Sequence, residues 1–225
     1  MTEVFYFSGS GHSFAVAKAV SERLGCGLAE IGKNIPAAET AVVVFPVYCQ
    51  NIPGPVKAFL QSLPSKYIAL IATYGKISYG NVLFEAQRLV RGEVIAGAYI
   101  PTGHTFLDEE ASFDASVLLP FLARINAPQR AHIPKTRKNP LSDLFPALRS
   151  RLGVKIIKNQ HCNHCGLCEK HCPTGAIRNG RISANCIRCL RCVASCPQKA
   201  LWHQNRWILK KYLERRRKEE AVLYL

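Results

Sequence analysis

Short apolar runs alternate with amphipathic stretches over the first ~125 residues, a spacing that marks strands and helices in turn. Strands are predicted at 3–7, 42–46, 67–73 and 94–100, with a weaker one at 27–31. Each is a brief β-branched or aromatic block, as buried parallel strands require. Helices are predicted at 12–24, 54–63, 79–91 and 110–125. In the first, Phe14, Ala17, Val20 and Leu24 recur at helical spacing and Gly25 stops it; in the third, Val82, Ala86, Leu89 and Val90 form the stripe before Gly92. Strictly alternating β and α units predict an α/β, doubly wound parallel sheet.

The rhythm stops near residue 126. Residues 126–158 carry Pro128, Pro134, Pro140 and Pro146 without a clear period, so they read as a basic linker with a short helix at 141–152. Residues 204–225 read as a terminal helix, on which Trp207, Ile208, Lys211, Tyr212 and Arg215 share one face. That face is expected to pack on the rest of the chain.

Between these segments stands a repeat. Cys162, Cys165, Cys168, Cys172 and Pro173 recur 24 residues later as Cys186, Cys189, Cys192, Cys196 and Pro197, and CPTGAI at 172–177 matches CPQKAL at 196–201. The spacing C-x2-C-x2-C-x3-C-P wraps cubes of iron and sulfide. Zinc favours paired knuckles without the third cysteine, and a disulfide framework needs an oxidising compartment. Two [4Fe–4S] clusters are therefore expected. Cys26 and Cys49 are left over and read as small, half-buried thiols. His161, His164 and His171 flank a cysteine set that is already complete, so they read as surface groups.

Residues 159–203 resemble a bacterial two-cluster ferredoxin. In that family the fourth cysteine of each motif serves the other cluster. The resemblance thus implies Cys162, Cys165, Cys168 and Cys196 for one cluster, and Cys172, Cys186, Cys189 and Cys192 for the other.

The first predicted strand runs into Ser8-Gly9-Ser10-Gly11-His12-Ser13 and then a helix. Glycines and hydroxyls at a helix N-terminus form a cradle for phosphate. The turn contains neither Lys nor Arg, so it is not a Walker loop, and it lacks the dinucleotide fingerprint. It resembles the FMN phosphate loop of flavodoxins, with His12 where Asn is common. That resemblance implies a five-stranded sheet of order 2-1-3-4-5 and FMN at its switch point. The corresponding loops here supply Pro46, Val47, Tyr48 and Asn51, then Thr73, Tyr74, Gly75, Tyr79 and Gly80, with Tyr48, Tyr74 and Tyr79 as ring-stacking candidates. A third loop, Thr102-Gly103-His104, offers a histidine that acts as a proton donor or fills an ordinary loop position.

The order of parts resembles the flavodoxin–ferredoxin fusion family of anaerobic microbes: an FMN domain at 1–125, the linker at 126–158, a small α+β 2[4Fe–4S] domain at 159–203 and the tail. The implied activity is electron transfer between the clusters, FMN and a redox partner. A flavin-free ferredoxin with an N-terminal docking domain is the alternative, as is a flavin-dependent reductase of a small substrate. No constellation of acid, base and nucleophile declares a substrate.

Charge sharpens the partner. Residues 1–123 hold 8 Lys+Arg against 10 Asp+Glu, a net −2; residues 124–225 hold 22 against 5, a net +17. Such a half steers acidic partners, here an acidic carrier of ferredoxin or flavodoxin type. Arg215, Arg216, Arg217 and Lys218 read either as a solvated helix face or as a contact for an anionic surface. No nucleic-acid motif accompanies the charge, so no nucleic acid is expected. No apolar run reaches the ~18 residues of a membrane span, and the N-terminus lacks a basic leader, so a reducing cytoplasm is expected.

Overall fold

The computed structural model describes residues 1–32, 36–144 and 151–225. The alternating runs become β1 (Thr2–Tyr6), α1 (His12–Leu24), β2 (Gly27–Glu30), β3 (Thr40–Pro46), α2 (Gly54–Ser62), β4 (Tyr67–Tyr74), α3 (Val82–Gln87), β5 (Glu93–Pro101) and α4 (Leu118–Asn126). Their order in the sheet is β5-β4-β3-β1-β2, all parallel, which is the expected 2-1-3-4-5 arrangement. β3 is buried on both faces from Thr40 to Phe45. Alternate side chains feed two core layers. Phe5, Val43, Phe45 and Leu70 pack with Phe59, Leu60 and Leu83 from α2 and α3. Val4, Val42, Val44 and Ile71 pack with Val16, Val20, Phe121 and Ile125 from α1 and α4. Each such side chain, fully buried, contributes about 1.5–3 kcal/mol.

Several expectations need correction. The buried stripe of α1 is Ser13, Val16, Ala17 and Val20, while Phe14 lies outside the core against Tyr6. α3 is shorter than its apolar pattern, and α4 begins at Leu118 rather than 110. Asp114 caps a 3₁₀ turn there by accepting from the Ser116 N–H, and Pro120 fits only in a first helical turn.

The segment 126–158 is not a free linker. Its prolines keep it extended along the sheet domain. The Ala131 N–H donates to Val94 O at 2.9 Å, Ile133 is buried, and Lys138 pairs with Glu85 at 2.7 Å and Asp143 at 2.5 Å. The helix expected at 141–152 begins as α5 (Leu141–Leu144), and residues 145–150 of it lie outside the described residues.

The last stretch of that segment, β6 (Val154–Lys158), pairs antiparallel with β9 (Leu201–Asn205) and so belongs to the cysteine-rich unit. Inside that unit are α6 (Leu167–Lys170), the β7 (Ile177–Arg178) and β8 (Arg181–Ile182) hairpin, and α7 (Arg191–Ala194). The 24-residue repeat is written in the backbone. Left-handed φ values recur at His164 and Arg188 (58° and 57°), Gly166 and Leu190 (74° and 59°), and Gly175 and Lys199 (59° and 47°). Non-glycine residues held there cost of order 1–3 kcal/mol each and mark loops shaped by function.

The terminal helix is only α8 (Trp207–Leu213). The chain then runs extended across the strand ends and finishes as β10 (Val222–Tyr224), antiparallel to β5. Among the described residues the sheet therefore has six strands rather than five, because β10 covers the edge that β5 would otherwise expose. Arg217 and Lys218 are correspondingly not on a solvated helix. Arg217 forks onto Glu109, the Lys218 N–H meets Lys76 O, and Lys218 Nζ sits 4.7 Å from the Tyr79 ring centre.

Candidate functional site

In the cysteine unit, side chains of both motifs come together. Cys162, Cys165, Cys168, Cys192 and Cys196 line one cavity of about 390 Å³. Cys172 lies instead among Cys186, Cys189 and Cys192. Burial first, then the charges of its neighbours, raises Cys189 to about 11 even though Arg191 opposes the shift. Burial and the surrounding Cys189, Cys186, Cys172 and Cys168 raise Cys192 to about 12. Thiols crowded this way become thiolates together only when cations neutralise them, which fits iron. Among the described residues no three His, Cys, Asp or Glu side chains close on a single-ion site. Each fourth cysteine accepts a backbone N–H at the equivalent place: Ala176 N to Cys172 Sγ at 3.2 Å, and Ala200 N to Cys196 Sγ at 3.3 Å. The two halves differ in exposure. Cys165 is open to solvent, whereas Cys186, Cys189 and Cys192 are all buried. His161, His164 and His171 are exposed.

A second cavity, about 710 Å³, opens where β1, β3, β4 and β5 end. That volume lies within the range of small-molecule and cofactor pockets. The turn after β1 forms its floor. Gly11 takes φ 101°, reserved for glycine, and its N–H donates to Ser8 Oγ at 3.1 Å. Ser13 Oγ shares a hydrogen bond with Thr73 Oγ1, and Ser10 Oγ with Thr105 Oγ1, both at 2.7 Å. His12 is 8% exposed, and its Nδ1 is buried without a partner. An orphaned ring nitrogen beside serine hydroxyls at the start of a 13-residue helix fits an anionic group such as a phosphate. Burial lowers the His12 pKa against the pull of Glu109.

Of the predicted residues, Ser8, Ser10, His12, Ser13, Pro46, Val47, Tyr48, Thr73, Tyr74 and Gly75 line this cavity. Gly11, Asn51, Tyr79 and Gly80 do not. Gly11 shapes the turn from behind. Asn51 spends its amide on Cys49 O and Ser142 O, at 2.9 and 3.1 Å. Gly80 O accepts from Thr136 at 2.6 Å. Tyr79 stacks on Tyr99 with ring centres 4.0 Å apart, which corrects its reading as a ring-stacking residue. Tyr74 is 3% exposed, and its ring lies nearly perpendicular to that of Tyr79 with ring centres 5.0 Å apart. Tyr48 sits where the two units meet, its phenol pKa raised by burial first and by Cys189 next. Of the leftover cysteines, Cys49 lines the cavity and Cys26 is half-buried.

The cavity has further walls. His104 rests over Gly75, where a Cβ would collide with the imidazole. Its Nδ1 accepts the Phe106 N–H at 3.2 Å, so the neutral ring carries its proton on Nε2. Burial, against the attraction of Glu109, lowers it to about 4. Arg188 from the second cysteine loop and Trp207, Tyr212 and Arg215 on and just beyond α8 close the outer side. Only α8 gave advance notice of this in its mixed face.

The two sites touch. A Cβ on Gly9 would collide with Cys189 O, so the second cysteine loop is seated directly on the turn after β1. Arg191, between Cys189 and Cys192, donates to Ser8 O from Nε at 3.0 Å and Nη2 at 2.5 Å.

Residues 156–178 match the family described as 4Fe-4S binding domain. The chain is 45% identical over 53 residues to a subunit of an ion-translocating oxidoreductase complex from Methanosarcina acetivorans, a match covering 21% of this chain and 20% of that protein. It is 33% identical over 72 residues to an uncharacterized ferredoxin of Methanocaldococcus jannaschii, covering 28% of this chain and 48% of that one. The chain thus spans about a fifth and about half of the lengths of these relatives. Among solved structures, a flavodoxin from the domain Archaea aligns at 20% identity with a TM-score of 0.35, over 41% of this chain and 76% of that chain. The 4Fe-4S match thus lies in the cysteine-rich unit, which follows the parallel strands of order 2-1-3-4-5.

Proposed function

We propose that this protein is an intramolecular electron relay in which two [4Fe–4S] clusters and one FMN share a single chain. The observation that carries the reading is the contact between Cys189 O and Gly9, which brings one cysteine loop against the turn proposed to hold the FMN phosphate. Bound, these groups would supply one- and two-electron redox chemistry; the chain supplies their positions and the electrostatics around them.

Cys162, Cys165, Cys168 and Cys196 would hold the first cluster, and Cys172, Cys186, Cys189 and Cys192 the second. Ser8, Ser10, His12 and Ser13 would hold the phosphate. The exposed Cys165 makes the first cluster the outward-facing one. Exposed Lys158, Lys170, Arg178, Arg181 and Lys199 lie in the same unit. They favour an acidic redox partner there, since opposite charge steers encounter. Buried Cys186, Cys189 and Cys192 make the second cluster the inner one, adjoining the flavin site.

The test is iron, acid-labile sulfide and flavin content after anaerobic purification, followed by rapid-mixing reduction read at cluster and flavin wavelengths. The relay predicts about eight irons, eight sulfides and one FMN per chain, with flavin reduction at a rate independent of protein concentration. Full iron with no flavin, even after FMN is offered, would leave a ferredoxin with a docking domain.

A further inference from the structure

The strand-end cavity is deeper than the sheet domain alone makes it. Its inner half is the Ser8–Ser13 turn and the loops after β3 and β4. Its outer half comes from Leu152, Arg188, Trp207, Lys211, Tyr212 and Arg215, which all follow α4 in sequence. This outer wall carries three cations, Arg188, Lys211 and Arg215, against one carboxylate, Glu214.

Arg188 is the informative member. Its Nε donates to Val154 O at 3.2 Å, while its Nη1 is buried with no hydrogen-bond partner among the described residues. The left-handed backbone of the cysteine loop fixes the base of the side chain. It lines this cavity and not the one among Cys162, Cys165, Cys168 and Cys196. A buried cationic N–H calls for an anionic acceptor, because its desolvation is otherwise uncompensated. The apolar part of the wall includes Leu152, Trp207 and Ile208. Trp207 is left 73% exposed at the cavity, and the Arg215 guanidinium lies 5.2 Å from the centre of the Tyr212 ring.

We infer that the outer half of the cavity is a binding site for a small organic anion with a planar apolar body, its carboxylate held by Arg188 and Arg215 and its body laid against Trp207. The inference rests on the reading that the inner half takes FMN, which leaves the outer half free. It gives the chain a small-molecule ligand of its own in addition to a protein partner.

Benzoate is a suitable probe, with benzamide as the neutral control of the same shape. Both are titrated by calorimetry into the full chain purified anaerobically, with flavin measured on the same sample. The site predicts one benzoate per chain and benzamide binding about tenfold weaker or more. Arg188→Gln and Arg215→Gln should each weaken benzoate about tenfold and leave benzamide unchanged, as expected when a charge-assisted bond is lost. Arg215 flanks no cysteine, so its variant keeps the test open should Arg188→Gln fail to fold. Equal affinity for the two probes, indifference to both substitutions, or no benzoate binding by flavin-loaded protein overturns the inference. Arginine-dependent benzoate binding by protein that will not take FMN upholds the anion site and sinks the flavin reading alone.

Discussion

Arg191 and Ser8, 183 residues apart in sequence, are joined by two hydrogen bonds from one guanidinium to one carbonyl oxygen. The remaining nitrogen, Nη1, pairs with Glu30 at 2.8 Å, and the guanidinium carbon lies 5.2 Å from the Phe7 ring centre. One side chain from the second cysteine loop thereby grips three residues around β1 and β2. Arg is suited to this because its planar fork engages several acceptors at once.

Replacing Arg191 with Gln should lower stability by about 2–3 kcal/mol, since it also strands the mostly buried Glu30. The anaerobic thermal midpoint should fall, and Glu30→Gln should restore part of the loss in the double variant. A change within about 0.5 kcal/mol, the usual surface range, would show that the fork does not hold the units together.

Gly9→Ala places a methyl where Cys189 O now lies. Overpacking at such a contact costs about 1–3 kcal/mol. The cysteine loop should shift away from the turn, so intramolecular electron transfer should slow while iron content stays normal. Unchanged transfer in rapid mixing would remove this contact from the proposed path.

Cys196→Ser should empty the cluster held by the first motif, and Cys172→Ser the one held by the second. Each variant should retain about four irons, and electron paramagnetic resonance should show a different surviving signal in each. Loss of the second-motif cluster in Cys196→Ser would contradict the crossover that the shared cavity supports.

His104 sets a pH dependence. Its folded pKa is about 4 against an ordinary 6.5, lowered by burial. Between these values the unfolded chain binds the proton that the folded chain resists, so stability rises with pH through this window and is lost as pH falls from 6.5 towards 4. The loss reaches about 3 kcal/mol at most. Glu109, held near 2 chiefly by its bonds to Arg217, loses its contribution only below its ordinary 4.5. Unfolding curves from pH 7 to 4 should therefore be flatter in His104→Gln, and an equal slope in both proteins would assign the acid sensitivity elsewhere.

Removing residues 221–225 should expose the β5 edge that Val222–Tyr224 now covers. Unpaired edges recruit other strands. The truncated chain should associate in light scattering at concentrations where the full chain does not.

What could be read in advance follows a physical division. The strands and α1 were legible because buried parallel strands need continuous apolar runs and α1 is bounded by Gly11 and Gly25, whereas the strand order came from the resemblance of the first turn to that of flavodoxins. The paired cysteine motifs were legible because cluster chemistry fixes spacing within one short loop. β10 was not, since three residues are too few to show a period. Tyr79 misled because an aromatic in a strand-end loop looks the same whether it faces a ligand or, as here, stacks on Tyr99.

Local spacing and periodicity are enough to specify two repeated cysteine loops, a parallel α/β sheet and a phosphate-type turn. They do not specify that Cys189 rests on Gly9, or that Arg188 and Trp207 close over the strand ends. Those relationships join residues far apart in the chain. They arise from which surfaces pack together in three dimensions, and no local pattern records that choice.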